Sequence, residues 1–537
     1  AIFSTNDITK EIVIDTINDI IDQNDETNII SYIENADNDI KEMEEAHKRI
    51  IKKKTQELFR LSPSRAMKYY VDPHVSPNCP IPIERIRDEL AARWQAEDIG
   101  ESQATDDWPI TYKLSEEDRK YIMDNMQKPD IFKEVIRTRD ITSAHGTDGI
   151  GYWALKLVPE LGSEMMASIS KIIIKYGFMP TTWNVSRTIL LYKKGDENDL
   201  KNWRPLTIAS CLYRTWTCAL ASCLQMINMR GTKLFDDNQK GFIKNKDGCL
   251  EHSNMITEAI CDANRNRRDI YIASLDLRDA FGSVPHEYIK YVLHEMEFPE
   301  EITKLIAHSY DNGTARVRVG SKESDIIHIH KGVKQGCPLS PLIFNFCMNP
   351  LLNKVEQDGA GYYISDKCSL KIQAYADDII IFAGTRDGLQ RNLNIVNSFL
   401  NYAKVMVNTN KCHTMSYVYR NKRRYYEEEP FQIAGENIPV SDLSQSVEYL
   451  GTDATTTSRI RKHGAMQAVN DTKRLIKKIG ASMLSLNQKI YAIKTFAIPQ
   501  LDYVLTNKRI NLKEADKIDR LIRTTINKHV KNIKIPI

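Results

Sequence analysis

The stretch KIQAYADDIIIFAG, residues 371–384, sets two adjacent aspartates between two apolar, β-rich runs. Such runs on either side of a short polar centre read as a hairpin, with Asp377 and Asp378 near its tip. Asp tolerates turn geometry, so an Asp-Asp pair taken alone marks nothing more than a turn. The flanks argue for more. Adjacent side chains on strand-like backbone point to opposite faces, which lets one carboxylate enter a cleft while the other supports it.

Upstream, DIYIASLDLRDAFGSVPH (269–286) carries a second candidate acid. Ile270–Leu275 reads as a buried strand, Asp276 ends it, and Pro285 opens the next helix. An acid closing a buried strand is unfavourable unless it is paired, hydrogen-bonded or bound to a metal. Aspartates on two adjacent strands suit a pair of Mg²⁺ ions roughly 3.5–4 Å apart, an arrangement for in-line displacement at phosphorus. Mg²⁺ takes oxygen ligands, typically one or two protein carboxylates with substrate phosphates and water. Between the two segments, KGVKQGCPLSPLIFNFCMNPLL (331–352) reads as a Gly-Pro loop entering an apolar helix. Gly332 and Gly336 permit close backbone approach there, and Pro338 and Pro341 stiffen the entry. Further β-rich runs at Thr188–Tyr192 and Ala315–Val319 do not alternate regularly with helical patterns. That order argues against a doubly wound sheet and for an α+β fold.

The 537 residues exceed one compact core, so two to four subdomains are expected. With 42% hydrophobic and 27% charged residues the composition is that of a folded chain, and no stretch resembles a membrane span or signal peptide. The first residue is Ala rather than Met, which suggests a piece of a longer protein. Ten scattered cysteines include no CxxC pair, so reduced thiols are expected rather than disulfides or zinc.

The net charge of +3 hides a polarity along the chain. Residues 1–47 hold 2 Lys and 13 Asp/Glu, 2 − 13 = −11, whereas residues 459–537 hold 18 Lys/Arg and 5 Asp/Glu, 18 − 5 = +13. Residues 1–60 read as helices with a solvated acidic face, and 95–110 as a linker. From about Gly464 the pattern is helical, with Val469, Ile476, Ile479 and Met483 as its buried stripe. Lys473 with Lys477, and Arg474 with Lys478, sit at i,i+4 on other faces and suit a nucleic-acid backbone, although any lysine-rich surface helix reads alike.

Taken together, these segments resemble a reverse transcriptase, specifically that of a non-LTR (LINE-type) retrotransposon. YADD (375–378), SLDLRDAF (274–281) and GVKQGCPLSPLIFN (332–345) resemble the family's motifs C, A and B. GTDGI (146–150), LLYKKGD (190–196) and NWRPLTIAS (202–210) resemble its finger motifs. NQKGFIKNKDGCLEH (238–252) resembles the insertion that separates non-LTR from retroviral enzymes, and its DGCLEH spelling leans toward elements with a restriction-enzyme-like endonuclease. NTNKCHTM (408–415) resembles motif D, and EYLG (448–451) the primer grip.

The resemblance implies a right-hand polymerase with an antiparallel palm sheet. Its parts would be an N-terminal helical extension over 1–107 with RNA as candidate ligand, fingers over 108–262, palm and primer grip over 263–458, and a basic helical thumb over 459–537. Asp276, Asp377 and Asp378 match the metal-binding triad, and Lys411 the lysine that protonates departing pyrophosphate. Lys193, Arg204 and Gln335 match positions that hold the incoming dNTP. Phe281 matches the gate against a ribose 2′-hydroxyl, although a core aromatic is the ordinary reading of such a residue. Tyr449, Leu450 and Gly451 match the primer grip, and Lys473, Arg474, Lys477 and Lys478 would line the thumb.

Two Mg²⁺ ions, dNTPs, a template RNA, a primer DNA (a nicked target end) and the RNA–DNA heteroduplex are the implied cofactors and partners, with a nuclear site of action and no membrane. Two alternatives stand beside this reading: a group II intron reverse transcriptase with maturase activity, and a catalytically inactive palm serving as an RNA-binding scaffold. The intact triad weighs against the scaffold, and the 238–252 insertion against the intron enzyme.

Overall fold

The structure is a computed structural model that describes residues 45–73, 77–95, 108–443, 445, 447–450, 452–454, 458–502 and 512–528. Residues 1–44 of the acidic stretch 1–47 and residues 96–107 of the expected linker 95–110 lie outside these residues. The chain divides into two compact units, one of residues 76–464 and one of residues 1–75 with 465–537. The strands used below are β1 (Val185–Tyr192), β2 (Trp203–Ile208), β3 (Ile270–Leu275), β4 (Thr314–Val319), β5 (Ile372–Tyr375), β6 (Asp378–Ala383) and β7 (His413–Arg420). The helices are α1 (Ile83–Trp94), α2 (Gly248–Asn266), α3 (Ser340–Asp358), α4 (Arg386–Tyr402), α5 (Ser458–Ala481) and α6 (Leu512–Asn527).

In the larger unit the central sheet runs β5–β6–β3–β7, each neighbour antiparallel to the next. The central strands β3 and β6 are apolar with little alternation because both faces are covered. The period of two sends Tyr271, Ala273, Leu275, Ile379 and Ile381 into one core and Ile270, Ile272, Ile380 and Phe382 into another. Leu351 and Val355 of α3, with Leu393 and Val396 of α4, fill the first core. Ile256, Ala259 and Ile260 of α2 fill the second. The fold is α+β, as the irregular order of strands and helices implied. A smaller sheet pairs β1 antiparallel with β2 and parallel with β4.

The described residues of the N-terminal stretch divide between the two units. Helix α1 packs Ile86, Leu90 and Trp94 against Trp203, Ala315 and Val317 of the smaller sheet. Phe59, Ala66, Met67 and Val71 instead share a core with Val469, Ile476, Ile479 and Ile518 in the other unit. The expected apolar stripe of α5 is buried at Val469, Ile476 and Ile479, but Met483 is exposed because the helix ends at Ala481.

The lysines of α5 divide in two. Lys473 pairs with Glu514 of α6 at 2.7 Å, and Lys478 with Asp72. These partners lie far off in sequence, which is why helical spacing alone placed all four cations on a nucleic-acid face. Arg474 and Lys477 remain exposed, Arg474 within 3.5 Å of Asp471.

Within the larger unit the loop before α3 docks on the 281–284 turn. Gly332 N–H donates to Val284 C=O, and Val333 N–H to Phe281 C=O, each at 2.7 Å. Gly332 has φ +88°, and a Cβ there would lie 2.7 Å from the Gly282 Cα. Gly332→Ala therefore meets both backbone strain and a backbone clash. It is expected to cost roughly 1–3 kcal/mol in chemical denaturation. A change within about 0.5 kcal/mol would contradict this packing.

Candidate active site

Three strand ends position the acids. Tyr375 pairs with Asp378, leaving Ala376 and Asp377 as a two-residue loop between β5 and β6. Ala376 holds φ +56°, the left-handed region that a residue with a Cβ adopts at a cost. Ile379 pairs with Leu275, so the next step of that register sets Asp378 opposite Asp276, which follows β3. Asn408 N–H donates to the Asp276 C=O at 2.8 Å, and Asp276 N–H to Cys412 Sγ at 3.4 Å. That docking brings Lys411 Nζ to 3.8 Å from Asp276 Oδ2.

Burial pushes the Asp377 carboxyl up, with the charge of Asp276 adding to it and Arg204 opposing. Asp378 is pushed up to about 6, first by desolvation and then by Asp377 and Asp276. Carboxylates that raise one another's pKa form an oxygen-only donor set in want of positive charge, which fits a hard cation such as Mg²⁺. Among the described residues no group of three His, Cys, Asp or Glu side chains stands as a preformed metal cage. A Mg²⁺ site that draws most of its ligands from substrate phosphates and water needs none.

The finger cations come from one hairpin. Arg204 pairs across from Leu191, and Lys193 follows β1, its N–H donating to Asn202 C=O at 2.8 Å. Partial desolvation lowers the Lys193 pKa, and the charges of Arg204, Lys411 and Arg93 lower it further against Asp279. Four like charges so close suit a polyanion. Arg93, on α1, was missed, because a cation on an amphipathic helix outside every motif carries no signal. Asp279 was missed too. It has φ +48°, and burial raises its pKa against the pull of Arg93, Lys331 and Lys193.

Gln335 lines a cleft open to solvent, together with Trp94, Gly282, Lys331 and Gly332. Its buried Oε1 has no hydrogen-bond partner among the described residues. Phe281 is half-buried, stacked on Phe344 with centroids 4.4 Å apart and edge-on to Phe242 at 6.3 Å.

Of the residues expected in the primer grip, Tyr449 has its ring buried in the second core, 3% exposed. An aromatic side chain of this size gains more by packing beneath the sheet than by standing in water. Its hydroxyl lies 3.3 Å from both the Asp378 C=O and His252 Nδ1, behind β6. Burial lowers the His252 pKa to about 4, so the ring is neutral there. Leu450 holds φ +49° and packs against the same core. Gly451 lies outside the described residues.

Helix α3 also carries an asparagine ladder at i, i+4, i+8. Asn345 Nδ2 donates to Gly241 C=O at 2.8 Å, Asn349 Nδ2 to Leu234 C=O at 2.9 Å, and Asn353 Nδ2 to Thr111 Oγ1 at 2.6 Å.

Residues 192–454 match the family model described as reverse transcriptase (RNA-dependent DNA polymerase). The chain is 29% identical over 386 residues to the Pol polyprotein of the type-2 retrotransposable element R2DM of Drosophila melanogaster, covering 71% of this chain and 35% of that one. A Pol polyprotein of a type-1 element R2 from Popillia japonica is 29% identical, covering 72% of this chain and 52% of its own length. The chain thus spans about a third to a half of the curated relatives it matches. Among solved structures, apo telomerase from Candida tropicalis, truncated from its C-terminal domain, aligns at 12% identity and a TM-score of 0.36, over 56% of this chain and 65% of that one. The sequence matches carry the resemblance without it: residues 192–454 match the reverse transcriptase family, and the relatives found are Pol polyproteins of R2 retrotransposable elements.

Proposed function

We propose that this chain is an RNA-directed DNA polymerase that copies a retrotransposon RNA from the 3′ end of a DNA primer, a nicked target end, in the nucleus. One observation supports it above the rest. Asp276, Asp377 and Asp378 meet at adjoining strand ends, near the finger cations Lys193 and Arg204, in a chain that resembles this family.

Mg²⁺ held by these carboxylates would lower the pKa of the primer 3′-hydroxyl and offset charge on the triphosphate. The residues of the chain do the rest. Lys193 and Arg204 bind the incoming triphosphate and fix the α-phosphate for in-line attack. Gln335, with its unpartnered Oε1, holds the nucleotide beside the primer end. Lys411 stands at Asp276 and supplies the proton for the departing pyrophosphate. The template is read by base pairing, so the protein grips backbone and shape. Arg474 and Lys477 on α5, and the exposed basic run 48–54, are the candidate contacts for that grip.

A nicked duplex whose 3′ end anneals to a heteropolymeric RNA is the decisive substrate. Labelled primer should grow to the RNA's 5′ end with four dNTPs; growth on a DNA template alone would overturn the reading. The raised pKa of Asp378 adds a pH dependence. Below about 6 a proton holds the site that the cation must take. The Mg²⁺ concentration for half-maximal extension should rise about tenfold per pH unit below 6, and be flat above it. A flat response down to pH 5 would contradict the assignment.

A further inference from the structure

Residues Asn238–Gly241 run beside the catalytic hairpin. Ala374 N–H donates to Asn238 C=O at 2.9 Å, and Lys240 N–H to Ala374 C=O at 3.0 Å, a parallel bridge on the outer edge of β5. Between them Gln239, 1% exposed, turns its amide oxygen on the loop that carries Asp377. That oxygen accepts Ala376 N–H at 2.7 Å and Gly241 N–H at 2.9 Å. Gly241 approaches so closely that a Cβ would lie 2.5 Å from Ala376 N and 2.9 Å from Tyr375 C. Its own C=O is held by the buried Asn345 of α3 at 2.8 Å.

Ala376 sits in the left-handed region, where a Cβ is disfavoured, so its loop conformation needs support from outside the loop. The support comes from a side chain 137 residues earlier in the chain. We propose that Gln239 is a positioning residue for the reaction. By accepting the Ala376 N–H, and seated through Gly241 and Asn345 on α3, it fixes where the Asp377 and Asp378 carboxylates stand. The insertion 238–252 thereby acts on the geometry of catalysis. The inference rests on the polymerase reading above.

The test uses the full chain, an RNA template with an annealed DNA primer, and single-nucleotide addition. Gln239→Leu keeps the bulk and removes the acceptor. Gly241→Ala keeps the Gln239 amide and pushes on Ala376 N, the group that amide holds. Asn349→Ala breaks contacts to Leu234 and Asp236 on the same segment, away from the hairpin, and serves as the control. Displacement of reacting groups by about 1 Å costs on the order of 100-fold, so kcat should fall by about that factor in both test variants. KM for dNTP and Kd for the hybrid should stay within about threefold, and Asn349→Ala should keep kcat while lowering Tm. If Gln239→Leu does not fold, Gly241→Ala decides alone. A folded test variant with kcat within about threefold of wild type, or an equal kcat loss in Asn349→Ala, overturns the proposal. A wild-type chain that binds the hybrid and does not extend it sinks the polymerase reading instead.

Discussion

Asp377→Ala and Asp378→Ala should each lower primer extension by about 10³-fold or more, while the hybrid stays bound within about threefold. The expectation follows from what the carboxylates touch. Asp377 occupies the two-residue loop and Asp378 the first position of β6, opposite the end of β3, so neither closes a core. Their raised pKa values show that the fold itself is poorer for holding these charges together. Removing one relieves repulsion, so Tm should hold or rise. A group that costs stability and is kept in an ion-demanding cluster belongs to function. If either variant extends at more than a tenth of the wild-type rate, or loses the hybrid in proportion to activity, the triad assignment fails.

Phe281→Val should raise incorporation of ribonucleotides relative to deoxyribonucleotides by about 100-fold, the scale on which one pocket contact discriminates. Phe281 lies five residues beyond Asp276, on the turn that receives the 331–336 loop through the Val333 N–H bond. Its ring stacks on Phe344, so it cannot swing away from a 2′-hydroxyl without losing that packing. Valine keeps the backbone contacts and removes the ring. The same stacking means that the variant should lose about 1–3 kcal/mol of stability. The two readouts separate the two roles. Lost stability with unchanged sugar selectivity would make Phe281 a core aromatic and nothing more.

Apolar strands were legible because they are local. Ile270–Leu275 is an apolar run broken only by Ser274, with Ile270, Tyr271 and Ile272 favouring a strand, and the structure keeps those bounds. The hairpin at Asp377-Asp378 was legible in its flanks, since two apolar runs separated by a two-residue loop leave little other choice. Gln239 and the Asn345–Asn349–Asn353 ladder were not legible, because their partners lie 104 residues or more away in sequence and a polar residue in an apolar helix announces no partner. The burial of the Tyr449 ring was not legible for a related reason: a short motif names a neighbourhood and does not say which face of the strand a ring takes. The four cations of α5 looked equivalent until Glu514 and Asp72 claimed two of them. Likewise, nothing local joins Phe59 and Val71 to Ile476, since a core shared by two chain ends is set by packing alone.

The central claim is that this chain makes DNA on an RNA template at the site of Asp276, Asp377 and Asp378. The most direct measurement is extension of oligo(dT) on poly(rA) with dTTP and Mg²⁺, with the Asp377→Ala, Asp378→Ala double variant run beside the wild type. The account predicts a ladder of extended primers from the wild type and none from the variant. A wild-type chain that binds the hybrid yet leaves the primer at its starting length would contradict it, and would favour an RNA-binding scaffold.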